Sequence, residues 1–214
     1  PESVKLLEGS NVTSAITTAL RYDSRDREFN PTEGSNHSLS LQYAGLGGDV
    51  GFYKITAESG VYYPLYRKLV AFGHLKGGFV RKTSSAILPD YERFYLGGMN
   101  SLRGFDWRDI SPTKVNALGI ETKIGGDKFV QFNFELLLPL IEKSGVIMVA
   151  FYDTGDVYDN HQRIDFGSLR ESVGFGFRWY SPMGPIRLEY GYVLSAEEGE
   201  ESGGNWEFTM GNAF

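Results

Sequence analysis

The chain has 214 residues, no cysteine and a formal net charge of −6. These exclude disulfides and thiolate metal sites, and they argue against nucleic acid as the main partner, since a phosphate backbone selects a basic surface. No run of about 18 apolar residues exists to form a transmembrane helix, and the opening "PESVKLLEGS" has neither the basic start nor the apolar stretch of a signal peptide.

Taken in order, the chain alternates apolar and polar residues. In 12–23, Val12, Ile16, Leu20 and Tyr22 fall on one side, and Thr13, Ala15, Thr17, Ala19 and Arg21 on the other. This period of two predicts a strand with two unlike faces. Strands follow at 35–44, 51–63 and 68–80. "FVQFNFELLLP" predicts another at 127–139, with Val130, Phe132, Phe134, Leu136 and Leu138 opposed to Gln131, Asn133 and Glu135. Then come 145–154, 170–181 (Phe175, Phe177 and Trp179 against Arg178), 184–195 (Leu188, Tyr190 and Tyr192 against Arg187 and Glu189) and 205–214 (Trp206, Phe208, Met210 and Phe214 against Glu207). Most run to roughly 9–13 residues, above the usual 5–6 and matching the roughly 9–11 that a tilted strand needs to cross a bilayer.

The connections alternate in size. "DSRDREFNPTEG", "YYPLYRK", "LPLIEKSG" and "SPMGP" fall at one end. "AGLGGDVG", "DVYDNHQRIDFGSLR", "SAEEGEESGGN" and the insert 81–127 fall at the other. Short turns at one end and longer loops at the other are the layout of an antiparallel transmembrane β-barrel. A soluble sandwich also alternates. Against it stand polar faces crowded with small residues and apolar faces that end in Tyr62, Tyr63, Trp179, Tyr180, Tyr192, Trp206 and Phe214, as aromatic girdles do.

Five motifs stand out in order. "DSRDREFNPTEG" comes first. "RFYLGGMNSLRGF" follows, with Phe94, Tyr95, Gly97 and Gly98 leading to the tip Arg103-Gly104-Phe105. Then come "NFELLLP" with "FYDTGDVY", "YSPMGPIRLEYG", and a terminal "WEFTMGNAF" carrying Trp206, Phe208, Met210 and Phe214. Together these resemble the BamA superfamily of outer-membrane assembly and secretion barrels, over nearly the whole chain. The resemblance implies that 81–127 folds into the lumen, with Arg103 on acidic residues of the wall. The polar strand faces single out Glu135 and Asp153 for that role. Gly104 permits a tight turn and Phe105 wedges against the wall. The residues at the C-terminus resemble the family's insertion signal.

The family's full barrel has sixteen strands, an even count as such barrels require. Nine are counted in this sequence, so 1–214 reads as the C-terminal nine or ten strands of such a barrel, or as a short one. A tenth strand has two candidate places, 2–10 and 116–124, and two chains pairing is the other way to complete a wall. The periplasmic POTRA domains that precede family barrels do not occur within the sequence.

The resemblance implies a non-enzymatic assembly factor in the outer membrane of a Gram-negative-type bacterium. A lateral seam would accept client strands by edge pairing, with the bilayer, unfolded outer-membrane proteins and periplasmic or lipoprotein subunits as partners. Two rivals are a two-partner-secretion pore and an excised or miniaturised barrel without activity. No cofactor and no metal site is expected. His37, His74 and His161 lie on separate elements. The aspartates of "YDTGDVYDN" read as a solvated loop that lacks the Glu and Gly of a calcium-binding hand.

Overall fold

A computed structural model describes residues 12–83, 87–115, 119–141, 145–181, 184–195 and 203–211. Its strands, in chain order, are β1 (Thr13–Asp23), β2 (Gly34–Gly48), β3 (Phe52–Tyr66), β4 (Leu69–Lys82), β5 (Thr113–Val115), β6 (Glu121–Lys123), β7 (Lys128–Ile141), β8 (Val146–Tyr158), β9 (Arg170–Ser181), β10 (Gly184–Val193) and β11 (Gly204–Met210). Nine of them form one sheet in the order β1-β2-β3-β4-β7-β8-β9-β10-β11. Every neighbouring pair in that sheet is antiparallel. Among the described residues β1 and β11 are edges, so the sheet is an open wall of the expected barrel fold. No described helix is long and apolar enough to cross a membrane.

Alternation sorts the two faces as the sequence predicts. Phe132, Phe134, Phe175, Phe177 and Leu188 are exposed on the outer side, while Gln131, Asn133, Glu135, Arg178 and Glu189 are buried on the inner side. A contiguous exposed patch of large apolar side chains is unfavourable in water and suits hydrocarbon. The inner face is not uniformly polar. At the short-turn end Val70, Leu137, Ile147, Val149 and Phe151 form an apolar layer, with Tyr62, Phe72 and Tyr180 packed on it. The β1–β2 turn reaches across to it: the Phe29 ring lies 6.0 Å from that of Tyr180.

Several sequence expectations need correction. "AGLGGDVG" is mostly strand, and the β2–β3 connection is only 49–51. Gly45, Gly47 and Gly48 take positive φ there, which lets the strand continue past the register shift opposite Thr13–Ala15. β8 runs on to Tyr158, so "YDTGDVY" is strand rather than solvated loop, and Asp153 is wholly buried. Residues 121–123 form β6, which pairs with β5 outside the main sheet, so the described part of the candidate 116–124, residues 119–124, supplies no tenth wall strand. The last strand ends at Met210. Phe214 and the candidate strand 2–10 lie outside the described residues.

Candidate functional site: the loop docked inside the sheet

The segment between β4 and β7 is held at both of its ends. Phe94 exchanges backbone hydrogen bonds with Gly126 at 2.9 Å each way, and Leu96 does so with Ile110 at 3.0 Å. Arg93 donates from Nη1 to Asp127 at 2.9 Å. Burial pushes the Asp127 carboxyl up, and a hydrogen bond with Asp159 adds to that rise. Gly97 and Gly98 have φ of 108° and 92°. Residues with a Cβ rarely adopt such angles. Gly98 N–H then donates to the carbonyls of both Leu102 and Phe105, which folds the tip into a compact turn.

That turn aims Arg103 into the lumen, where it is 2% exposed. Its Nε and Nη2 donate to the two oxygens of Asp153 at 2.7 and 2.6 Å, a bidentate fork. Its Nη1 donates to Glu135 at 2.7 Å and to Glu189 at 2.8 Å. The guanidinium also stacks 3.6 Å from the centre of the Phe151 ring. Glu135 and Asp153 were the two acids expected from the polar strand faces. Glu189 was expected to face inward but not to meet Arg103.

The sequence reading missed two further arginines in the cluster. Arg178 on β9 grips Glu135 with Nη1 and Nη2 at 2.9 and 2.7 Å, and Glu189 with Nε at 2.7 Å. Arg187 on β10 donates to Glu189 from Nε at 3.0 Å and from Nη2 at 3.1 Å. Three guanidinium groups thus meet three carboxylates in a buried cluster. Their inward parity was legible. Their common height in the lumen was not, because it depends on cross-strand register: Arg178 sits opposite Arg187.

Polar neighbours complete the packing. Asn133 donates to the Ser101 carbonyl at 2.7 Å and to Asp153 at 2.8 Å, tying loop to wall. The Asn133 side-chain oxygen lies 3.1 Å from His74 Nδ1, and His74 Nε2 lies 2.9 Å from Glu58. His37 sits apart, between Ser35 and Ser59.

The other tip residues each have a defined place. Gly104, at φ 92°, donates its N–H to Glu207 of β11 at 2.7 Å, and Asn205 of β11 donates to its carbonyl at 3.3 Å. Phe105 joins a buried cluster with Leu96, Leu102, Ile110, Phe129, Val157 and Val193. The Phe94 and Phe129 rings meet tilted at 45° with centres 4.6 Å apart, and Tyr95 carries the Arg108 guanidinium over its ring at 3.6 Å. The terminal-signal residues Trp206, Phe208 and Met210 are exposed on the outer face and far from this site's chemistry, while Gly104 meets only the inward side of their strand. The guanidinium and carboxylate groups of the cluster are paired with one another.

An antiparallel wall with an apolar exterior and an arginine-tipped loop packed on its inner face defines the class as a membrane β-barrel. The Omp85 superfamily domain matches residues 3–214, and the chain belongs to that superfamily. It is 34% identical over 215 residues to the outer membrane protein assembly factor BamA of Nitratidesulfovibrio vulgaris, covering 99% of this chain and 27% of that protein. It is 26% identical to BamA of Neisseria meningitidis, covering 86% of this chain and 26% of that protein. It is 29% identical over 168 residues to the sorting and assembly machinery component 50 homolog of Mus musculus, covering 78% of this chain and 34% of that protein. The chain therefore spans about a quarter of these BamA proteins, by the 27% and 26% just given. Among solved structures, BamA from Haemophilus ducreyi lacking POTRA domains 1-3 superposes with a TM-score of 0.79 at 23% identity, over 91% of this chain and 42% of that one. CdiB from Acinetobacter baumannii gives 0.58 at 18% identity, over 92% and 32%. Both share the fold.

Proposed function

We propose that this chain is the C-terminal barrel wall of an outer-membrane β-barrel assembly factor in a Gram-negative-type bacterium. The observation that carries the reading is its 34% identity, across 99% of its length, to a protein of that activity. The mechanism is non-enzymatic. β11 is hydrogen-bonded to β10 on one side only among the described residues. Its other edge presents unpaired N–H and C=O groups, the template on which a client strand adds by main-chain hydrogen bonds. In the complete barrel that edge is one lip of a lateral seam. The Arg103 cluster ties the loop to β7, β8 and β10, so that loss of pairing at the seam does not let the wall collapse. The partners are the bilayer, unfolded outer-membrane proteins and accessory subunits at the periplasmic face.

The test is replacement. The full-length protein carrying Arg103→Ala is produced in cells depleted of the native copy, and folded outer-membrane porins are counted. The reading expects the variant to insert but to assemble clients poorly; wild-type client levels would refute the brace. A second reading, a secretion pore, is favoured only by the fold shared with CdiB. It expects client export rather than client insertion to fail in the same cells.

A further inference from the structure

The outer face of the sheet is not an even apolar surface. At the long-loop end of β3, β4 and β7 it is hollowed by a groove of about 660 Å³. The hollow has a sequence cause. Gly77 sits between Ala57 on one neighbouring strand and Val130 on the other, all on the outward parity. A Cβ built on Gly77 would approach only the Phe129 carbonyl, at 3.3 Å. Ile55 and Phe79, paired across β3 and β4, form a taller wall beside this low point. The floor is therefore low and apolar.

Charged residues of both signs line the groove, and those on the outward parity are cations. Arg81 and Lys128 both line the groove, and both lie on the outward parity. Lys128 is opposite Phe79, so Arg81, two residues further on, is its diagonal neighbour across β4 and β7. Diagonal Cα atoms stand about 7–8 Å apart, within joint reach of long side chains. Lys128 donates to the carbonyls of Asn160 and Gln162. Among the described residues neither cation is in an ion pair, and the nearby Asp127 carboxylate is taken by Arg93. Two cations outside any described ion pair thus stand at the end of an apolar trough on a face that meets lipid.

We propose that this groove seats one phosphorylated glycolipid of the outer leaflet, of the lipid A class. One acyl chain lies over Gly77 beside Ile55 and Phe79, and a phosphate is held by Arg81 and Lys128. Arginine suits a phosphate because its planar fork matches two oxygens. The leaflet follows from the layout, since longer loops face outside in such barrels and the groove opens at that end. The inference rests on the membrane-barrel reading above but not on client assembly, so the two fail separately.

The experiment is native mass spectrometry of the full-length protein, released from detergent after equilibration with diphosphoryl lipid A, phosphatidylglycerol or phosphatidylcholine. Wild-type protein is expected to keep one lipid A and to keep the phospholipids less well. Arg81→Gln and Gly77→Leu, which fills the hollow, should each lower lipid A retention by about tenfold. Arg67→Gln, a cation in the β3–β4 turn at the opposite end, should leave it unchanged. If Gly77→Leu fails to fold, Arg81→Gln decides alone. Equal retention in wild type and Arg81→Gln, or phosphatidylglycerol kept as well as lipid A, overturns the proposal. Porin assembly in the same variants reports on the assembly reading independently.

Discussion

Gly104 at the loop tip and Gly191 on β10 are pressed backbone to backbone. A Cβ on Gly191 would lie 2.5 Å from the Gly104 nitrogen, and one on Gly104 would lie 2.9 Å from the Gly191 carbonyl carbon. Neither neighbour is a flexible side chain that can yield. We expect Gly191→Ala to displace the tip at a cost of about 1–3 kcal/mol, the range for overpacking. The wall strands should survive. Limited proteolysis within 94–112 reads this out: cleavage must become faster while circular dichroism keeps its strand signal. Unchanged protection would mean that the tip is not confined as described.

Arg103 is the hub of the buried cluster, and its removal leaves Asp153 without its bidentate partner. Breaking such a buried pair costs about 3–5 kcal/mol. Arg103→Ala should therefore lower the melting temperature of the loop more than that of the sheet. Arg103→Lys should restore only part, because an ammonium cannot donate along two parallel lines. Full recovery by lysine would show that charge alone suffices.

Glu207 joins β11 to the loop tip through the Gly104 N–H. Losing an acceptor to a buried donor costs about 1–3 kcal/mol. In Glu207→Ala the amides of β11 should exchange with deuterium faster, and so should those of 98–105. Glu207→Gln keeps a carbonyl oxygen and should behave close to wild type. Faster exchange confined to β11 alone would separate the strand from the loop.

The outward face is testable at Phe177. Arginine placed there, near the middle of the bilayer, should cost about 2–4 kcal/mol. Single cysteines at Phe134 and Asn133 should differ in kind. A lipid-soluble probe labels the first and leaves the second alone, and the opposite pattern would invert the assignment.

Acid should loosen the β1–β2 turn. Partial burial opposes ionisation of Asp26, but the N–H groups of Thr32 and Glu33 and the Thr32 hydroxyl outweigh it and hold the carboxyl below its usual 3.8. A lowered pKa gives stability that is present above the unfolded value and lost as pH falls through the folded one. The Thr32 amide resonance should therefore titrate below 3.8. A midpoint above that value would reverse the sign.

Period-two alternation alone determined the antiparallel wall, its outer apolar face and the inward parity of Glu135, Asp153, Arg178 and Glu189. It could do so because side chains in a strand point to opposite faces in strict turn. The motif around Arg103 marked the loop as something other than a plain turn, since glycine, arginine and aromatics at that density suit close packing.

What only the tertiary structure decided was height. Parity says which face a residue occupies, but not how far along the barrel it lies relative to the next strand. That offset comes from register, and register comes from every backbone pair in the ladder at once. It brings Arg178 and Arg187 level with Glu135 and Glu189, and Glu207 level with Gly104. The same cooperative pairing carries β8 through Asp153 to Tyr158, where polar residues had suggested a loop. A buried carboxylate inside a strand is tolerable only beside its guanidinium, and that neighbour lies 50 positions away in the chain.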